Sequence, residues 1–280
     1  MTSATSATAE ATTGTPPGLS ARGLSLAYDG RTVVHDVDLD IPTGRVTVVV
    51  GANGCGKSTL LRGLGRLLPA TTGEVRLGGR SITAMPTREV AEVLGLLPQQ
   101  PIAPEGITVG DLVARGRHPH QRVFRRWSAA DQRVVAAALT ATETADLIGR
   151  RVEELSGGQR QRVWIAMLLA QDPRVMLLDE PTTFLDIAHQ IDVLELLSEL
   201  NRDSGTTVVM VLHDLNLAAR YADHLVVMSA GRIVDEGAPA AVLTADSVRS
   251  AFGLDCRIIS DPVTGTPMVV PEGRRGHGRT

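Results

Sequence analysis

The sequence predicts an α/β fold built on a mostly parallel core sheet. Val46-Thr47-Val48-Val49-Val50, Val175-Met176-Leu177-Leu178 and Thr206 to Leu212 are dense apolar runs. Such runs mark strands buried on both faces, as in a parallel sheet. Helical patterns lie between them, which is the order of an α/β domain. Each run also ends in polar residues: Gly51 opens a glycine-rich turn, Asp179-Glu180 follows the second, and His213-Asp214 follows the third. Ligands of open parallel sheets bind beyond the carboxyl ends of the strands. Three distant stretches therefore point at one crevice.

The elements follow in order. Residues 1–17 are nearly all Ser, Thr, Ala and Pro and read as a disordered tail. Leu24 to Tyr28 alternates as a strand, Asp29-Gly30 is a turn signal, and Val33 to Ile41 alternates again. Thr59 to Leu64 is helical and Val93 to Leu97 is strand-like. Pro101 to Glu154 holds helical patterns such as Asp131 to Leu139, so a helical insert at about 101–165 is expected within a domain spanning 18–271. Gln190 to Leu200 is helical after Asp186. From Leu225 the chain reads strand, turn at Ala230-Gly231, strand, then short helices across Ala240 to Phe252. Residues 272–280 are rich in Gly and Arg and read as a mobile tail.

Composition bounds the function. The chain has 280 residues, 43% of them hydrophobic and 21% charged, enough for a sizeable core. A formal net charge of -3 argues against a general polyanion binder, and 2% aromatic content against a base-stacking platform, so no nucleic-acid partner is expected. The longest apolar run, Val163 to Ala170, falls far short of the roughly 20 residues of a membrane span. No secretory signal is visible, and two cysteines, Cys55 and Cys256, suit a reducing cytoplasm.

Gly51-Ala52-Asn53-Gly54-Cys55-Gly56-Lys57-Ser58-Thr59 satisfies G-x-x-x-x-G-K-[ST] directly after a buried strand and before a helix. Its glycines let backbone N–H groups turn inward around an anion, and the helix start adds unsatisfied donors. Lys57 is the only lysine in a chain with 28 Lys and Arg residues. A compact ammonium can follow the β- and γ-phosphates where a planar guanidinium fork fits less well. Ser58 offers a hydroxyl to Mg²⁺. Asp179 is the expected carboxylate that holds Mg²⁺ through its bound water. Glu180 is the candidate that polarises an attacking water, a contribution on the order of 10²–10⁴-fold. His213 can reach a terminal phosphate as a donor.

Leu155-Ser156-Gly157-Gly158-Gln159 reads as a second anion-binding helix start with Ser156 as N-cap. In this order, the P-loop, Ser156-Gly157-Gly158-Gln159, Asp179-Glu180 and His213 make the chain resemble an ATP-binding-cassette (ABC) ATPase over roughly Leu19 to Pro271. The resemblance implies a P-loop NTPase cassette: a mostly parallel core sheet, an antiparallel β subdomain and a helical signature subdomain. It implies that Gln99, with Gln100 as the neighbouring choice, touches Mg²⁺, that Asp186 belongs to the D-loop, and that Tyr28 stacks on adenine. It implies a head-to-tail homodimer in which the ATP on one cradle is closed by Ser156, Gly157, Gly158 and Gln159 of the other copy.

Ala114 to Gln121, Pro181 to Ile187 and Ser260 to Pro267 resemble the iron-siderophore importer branch of that family. The resemblance implies ATP hydrolysis coupled to ferric chelate import through two membrane permease subunits, with a substrate-binding protein acting indirectly. It places the chain peripherally at the cytoplasmic face of the cell membrane. The haem and cobalamin importers share much of the pattern and stay open, as does a soluble ABC ATPase outside transport. Arg115, Arg117, Arg122, Arg125 and Arg126, with His118 and His120, read as a basic patch. It is a solvated face, or a contact for acidic permease residues or anionic lipid.

Overall fold

The computed structural model describes residues 17–121, 127–183 and 185–272. Apart from Pro17 and Glu272, the tails expected at 1–17 and 272–280 lie outside the described residues. So do Arg122, Arg125 and Arg126 of the expected patch.

The chain opens with β1 (Leu19–Tyr28) and β2 (Arg31–Ile41), paired antiparallel around Asp29-Gly30. Both turn residues have positive φ, 48° and 79°, as a two-residue hairpin turn requires. β3 (Val46–Gly51) is buried throughout and leads into α1 (Lys57–Leu64). β4 (Thr72–Leu77) returns antiparallel to β1 and pairs with β5 (Arg80–Ser81), giving a four-stranded sheet in the order β2-β1-β4-β5. This is the antiparallel subdomain that the resemblance implied.

α2 (Thr87–Val93) feeds β6 (Leu94–Leu97). A helical region follows, with α3 (Val109–Ala114), α4 (Ala129–Ala141) and α5 (Gly157–Gln171). Then come β7 (Val175–Asp179), α6 (Ile187–Ser204), β8 (Thr207–Val211), α7 (Leu215–Tyr221), β9 (His224–Ser229) and β10 (Arg232–Gly237). The described chain ends with α8 (Pro239–Val242), α9 (Ala245–Phe252) and the hairpin of β11 (Cys256–Ser260) and β12 (Pro267–Pro271). The core sheet has the order β10-β9-β3-β8-β7-β6, and every neighbouring pair is parallel except β10 with β9.

The pleat of β3 divides the interior. Val48 and Val50 pack into a cluster with Val163 of α5 and Leu194 of α6. Val49 faces the other way, into a cluster with Leu60, Leu61 and Leu64 of α1 and Leu24 and Leu26 of β1. Each such fully buried side chain contributes about 1.5–3 kcal/mol. A Cβ at Gly63 would stand 2.5 Å from Leu26 Cδ1, so α1 lies against β1 only because position 63 has no side chain.

One expectation is corrected. Arg117 does not belong to an exposed basic patch: it is buried in the helical region. Its Nε donates to Asp131 Oδ1 at 3.1 Å, and its Nη1 donates to Ala170 O at 2.9 Å. A carboxylate and a carbonyl in the last turn of α5 both complement the guanidinium charge.

Candidate functional site

In parallel strands the carboxyl ends share one edge of the sheet. Val211 of β8 is paired with Val49 of β3 on one side and Asp179 of β7 on the other, so the three strand ends are level. β6 lies beyond β7 and brings Gln99 to the same edge. Between these ends lies a cleft of about 500 Å³ lined by Asn53, Gly54, Gly56, Lys57, Ser58, Thr59, Gln99, Glu180, His213 and Val33 of β2. The crevice read from three stretches of sequence is one cavity.

The glycine-rich turn is shaped by conformations that side chains resist. Gly54 and Gly56 sit at φ 76° and 106°, in the left-handed region. A Cβ at Gly51 would meet Met228 O at 2.3 Å. Gly56 caps α1 with no side-chain bond, which leaves the first N–H groups of the helix facing the loop. Lys57 is buried, and its Nζ donates to Gly51 O at 2.8 Å and Ala52 O at 3.1 Å. The ammonium is therefore folded over the turn that bears it. Gly51, Ala52 and Cys55 support the turn without lining the cleft, and burial pushes the Cys55 thiol up from its ordinary value.

Ser58 Oγ donates to Asp179 Oδ1 at 2.8 Å, while Asp179 Oδ2 is buried with no partner among the described residues. Burial raises the Asp179 carboxyl above its ordinary range; the Ser58 hydroxyl opposes this and the neighbouring Glu180 charge adds to it. Glu180 turns the other way. Its Oε2 accepts from Gln99 Nε2 at 2.6 Å and from Thr183 Oγ1 at 3.0 Å, and its Oε1 lies 2.5 Å from His213 Nε2. Gln99, rather than Gln100, thus faces the cleft.

The remaining expected residues stand apart from this cavity. Tyr28 ends β1, partly exposed, and its hydroxyl accepts from Arg62 Nη1 at 3.1 Å. Ser156 caps α5 reciprocally: Gln159 N donates to its Oγ at 3.2 Å, and Ser156 N donates to Gln159 Oε1 at 3.1 Å. Ser156 and Gly157 are exposed, and neither these two nor Gly158 and Gln159 line the chain's own cleft. Asp186 caps α6, accepting from His189 N at 3.0 Å, which holds its carboxyl below the ordinary range.

Two contributors carry no sequence signal strong enough to have been singled out. Gln161 Nε2, buried on α5, donates to Pro181 O at 2.9 Å. Thr183 holds Glu180 as described. A hydroxyl residue three positions after a carboxylate is the only local hint.

Comparisons with known proteins agree with this geometry. A family model described as "ABC transporter" matches residues 34–183. The ferric enterobactin transport ATP-binding protein FepC of Escherichia coli (strain K12) is 54% identical over 251 residues, covering 90% of this chain and 93% of that one. The achromobactin transport ATP-binding protein CbrD of Dickeya dadantii (strain 3937) is 53% identical over 256 residues, covering 91% and 95%. Among solved structures, one described as a metal-chelate type ABC transporter in an inward-facing conformation aligns with a TM-score of 0.78 at 28% identity, over 92% of this chain and 98% of that chain. A bacterial ABC transporter cassette solved as a dimer aligns with a TM-score of 0.72 at 27% identity, over 79% and 98%. The cassette architecture agrees with these matches: the chain belongs to the ABC transporter family, as one of its ATP-binding proteins.

Proposed function

We propose that the chain is the ATP-hydrolysing subunit of a ferric siderophore importer. It works as a head-to-tail homodimer on two membrane permease subunits at the cytoplasmic face of the membrane, and a substrate-binding protein delivers the chelate. The observation that carries the ATPase reading is the meeting of Lys57, Ser58, Asp179, Glu180, Gln99 and His213 around one cleft. Lys57 and the N–H groups of the cleft-lining Asn53, Gly54 and Gly56 to Thr59 bind the phosphates, on the turn that Gly51, Ala52 and Cys55 support. Glu180 orients water and takes its proton, and His213 donates to the terminal phosphate. Tyr28 supports the adenine.

Ser58, Asp179 and Gln99 fit a divalent cation. They offer hydroxyl, carboxylate and amide oxygens, the donor set suited to Mg²⁺, and one Asp179 oxygen is buried without a partner. When bound, Mg²⁺ neutralises charge on the phosphate oxygens.

The exposed tip at Ser156 lies outside the chain's own cleft, which supports closure by a second copy. ATP then joins two copies, and its hydrolysis lets them part, a two-state device biased by ligand. The cargo reading rests on relatives above 50% identity whose names specify ferric enterobactin and achromobactin. Growth of a deletion strain on single ferric chelates tests it. Loss of growth on at least one chelate is expected; undiminished growth on all of them contradicts the importer role.

A further inference from the structure

Resting on the reading of Glu180 as the group that orients water, we propose that Thr183 is the positioning residue that fixes the Glu180 carboxylate. Glu180 is buried, with its backbone in the left-handed region at φ 55°. That conformation is strained for a non-glycine residue and persists only where the surroundings hold it. Here the turn after β7 holds it. Thr183 N donates to Glu180 O at 3.2 Å, and the buried Gln161 side chain pins Pro181 O from α5. Within this turn Thr183 Oγ1 reaches Glu180 Oε2 at 3.0 Å.

The other two groups on the carboxylate come from separate walls of the cleft. Gln99 follows β6, and His213, half exposed, follows β8. A shift of either wall removes that wall's contact. Thr183 shares a hydrogen-bonded turn with Glu180 and so moves with it. Thr183 does not line the phosphate cleft. It lines a second cleft of about 280 Å³, which Glu180 and His213 also line. The hydroxyl thus holds the carboxylate without touching the reacting atoms. It supplies orientation, and small misplacements of a catalytic group are expensive in rate.

The test is steady-state ATP hydrolysis by the full chain, with a thermal melt of each variant. Thr183→Val keeps the side-chain shape and removes the donor. It is expected to lower kcat about 10- to 100-fold, the worth of a hydrogen bond to a charged group. KM for ATP stays within about twofold and the variant still melts cooperatively, with at most a small drop in Tm because Gln99 and His213 still contact the carboxylate. Thr183→Ser restores kcat to within about threefold. In a Glu180→Gln background, adding Thr183→Val changes the residual rate less than about twofold, because the two residues act as a unit. Should Thr183→Val not fold, Thr183→Ala takes its place under the same criteria. An unimpaired kcat without the hydroxyl, or a Thr183→Ser variant as slow as Thr183→Val, overturns the proposal. Full hydrolysis by Glu180→Gln would instead remove the reading of Glu180 itself.

Discussion

The Ser58 hydroxyl and the Asp179 carboxylate, 121 residues apart in sequence, are hydrogen-bonded at 2.8 Å where α1 begins and β7 ends. This bond ties the phosphate cradle to the carboxylate pair. Among the described residues it is the only hydrogen bond to the Asp179 carboxylate, whose second oxygen is buried and unpaired. Ser58→Ala therefore leaves a buried carboxylate with no donor. Loss of about 1–3 kcal/mol of stability is expected, lowering Tm roughly 2–4 °C per kcal/mol. Calorimetry without nucleotide checks it, and an unchanged Tm contradicts it.

Lys57 is the only lysine in the chain, and its ammonium is buried against the carbonyls of Gly51 and Ala52. The space accepts a point charge, not a planar fork. Lys57→Arg is expected to weaken ATP binding more than about tenfold with the fold retained. Titration with a fluorescent ATP analogue measures it, and affinity within about threefold of the parent would show that any cation serves.

The Arg117–Asp131 pair gives the helical region a pH signature. The Ser128 hydroxyl, then the Ser128 N–H and Arg117, hold the Asp131 carboxyl at about 2. A carboxyl depressed on folding stabilises above its unfolded value near 4, and that stability is lost as pH falls toward 2. The contribution is on the order of 1–2 kcal/mol, after allowing for solvent screening. Urea unfolding of the parent and Asp131→Asn should diverge at pH 7 and converge only as pH falls below about 2. Parallel curves across that range would contradict the assignment.

If each ATP is held by the cradle of one copy and the Ser156 tip of the other, damage to the two can be complemented. A Cβ at Gly158 would stand 3.3 Å from Leu185 Cδ2, so Gly158→Asp crowds the tip without touching the cradle. Lys57→Ala and Gly158→Asp should each be inactive alone. Mixed, they form pairs with one intact composite site, and hydrolysis should return to a substantial fraction of the parent rate. No recovery on mixing contradicts shared sites.

Much of this was legible because the signals were local. A β-branched run before Gly51 is read as a buried strand from its own residues, and Ser156 followed three residues later by Gln159 announces its own cap. The strand-end polar residues could be assigned to one crevice because a parallel sheet gathers carboxyl ends. β4, β5, α2, β11 and β12 carry no such local signal. Thr72 to Leu77 alternates weakly, and its pairing with β1 is long-range. Arg117 was misplaced because a guanidinium in a basic stretch gives no sign that Asp131 lies behind it. Gln99 could not be separated from Gln100, since only the fold of the segment after β6 decides which amide meets Glu180. Thr183 was missed for the same reason: its role depends on the left-handed backbone of Glu180.

In the proposed cycle, triphosphate clamps two copies together until Glu180 enables its cleavage. Size-exclusion chromatography of Glu180→Gln with and without Mg-ATP tests this most directly. A monomer is expected without nucleotide and a stable ATP-loaded dimer with it, alongside hydrolysis reduced about 10²–10⁴-fold. A Glu180→Gln protein that binds ATP and still elutes as a monomer would contradict it.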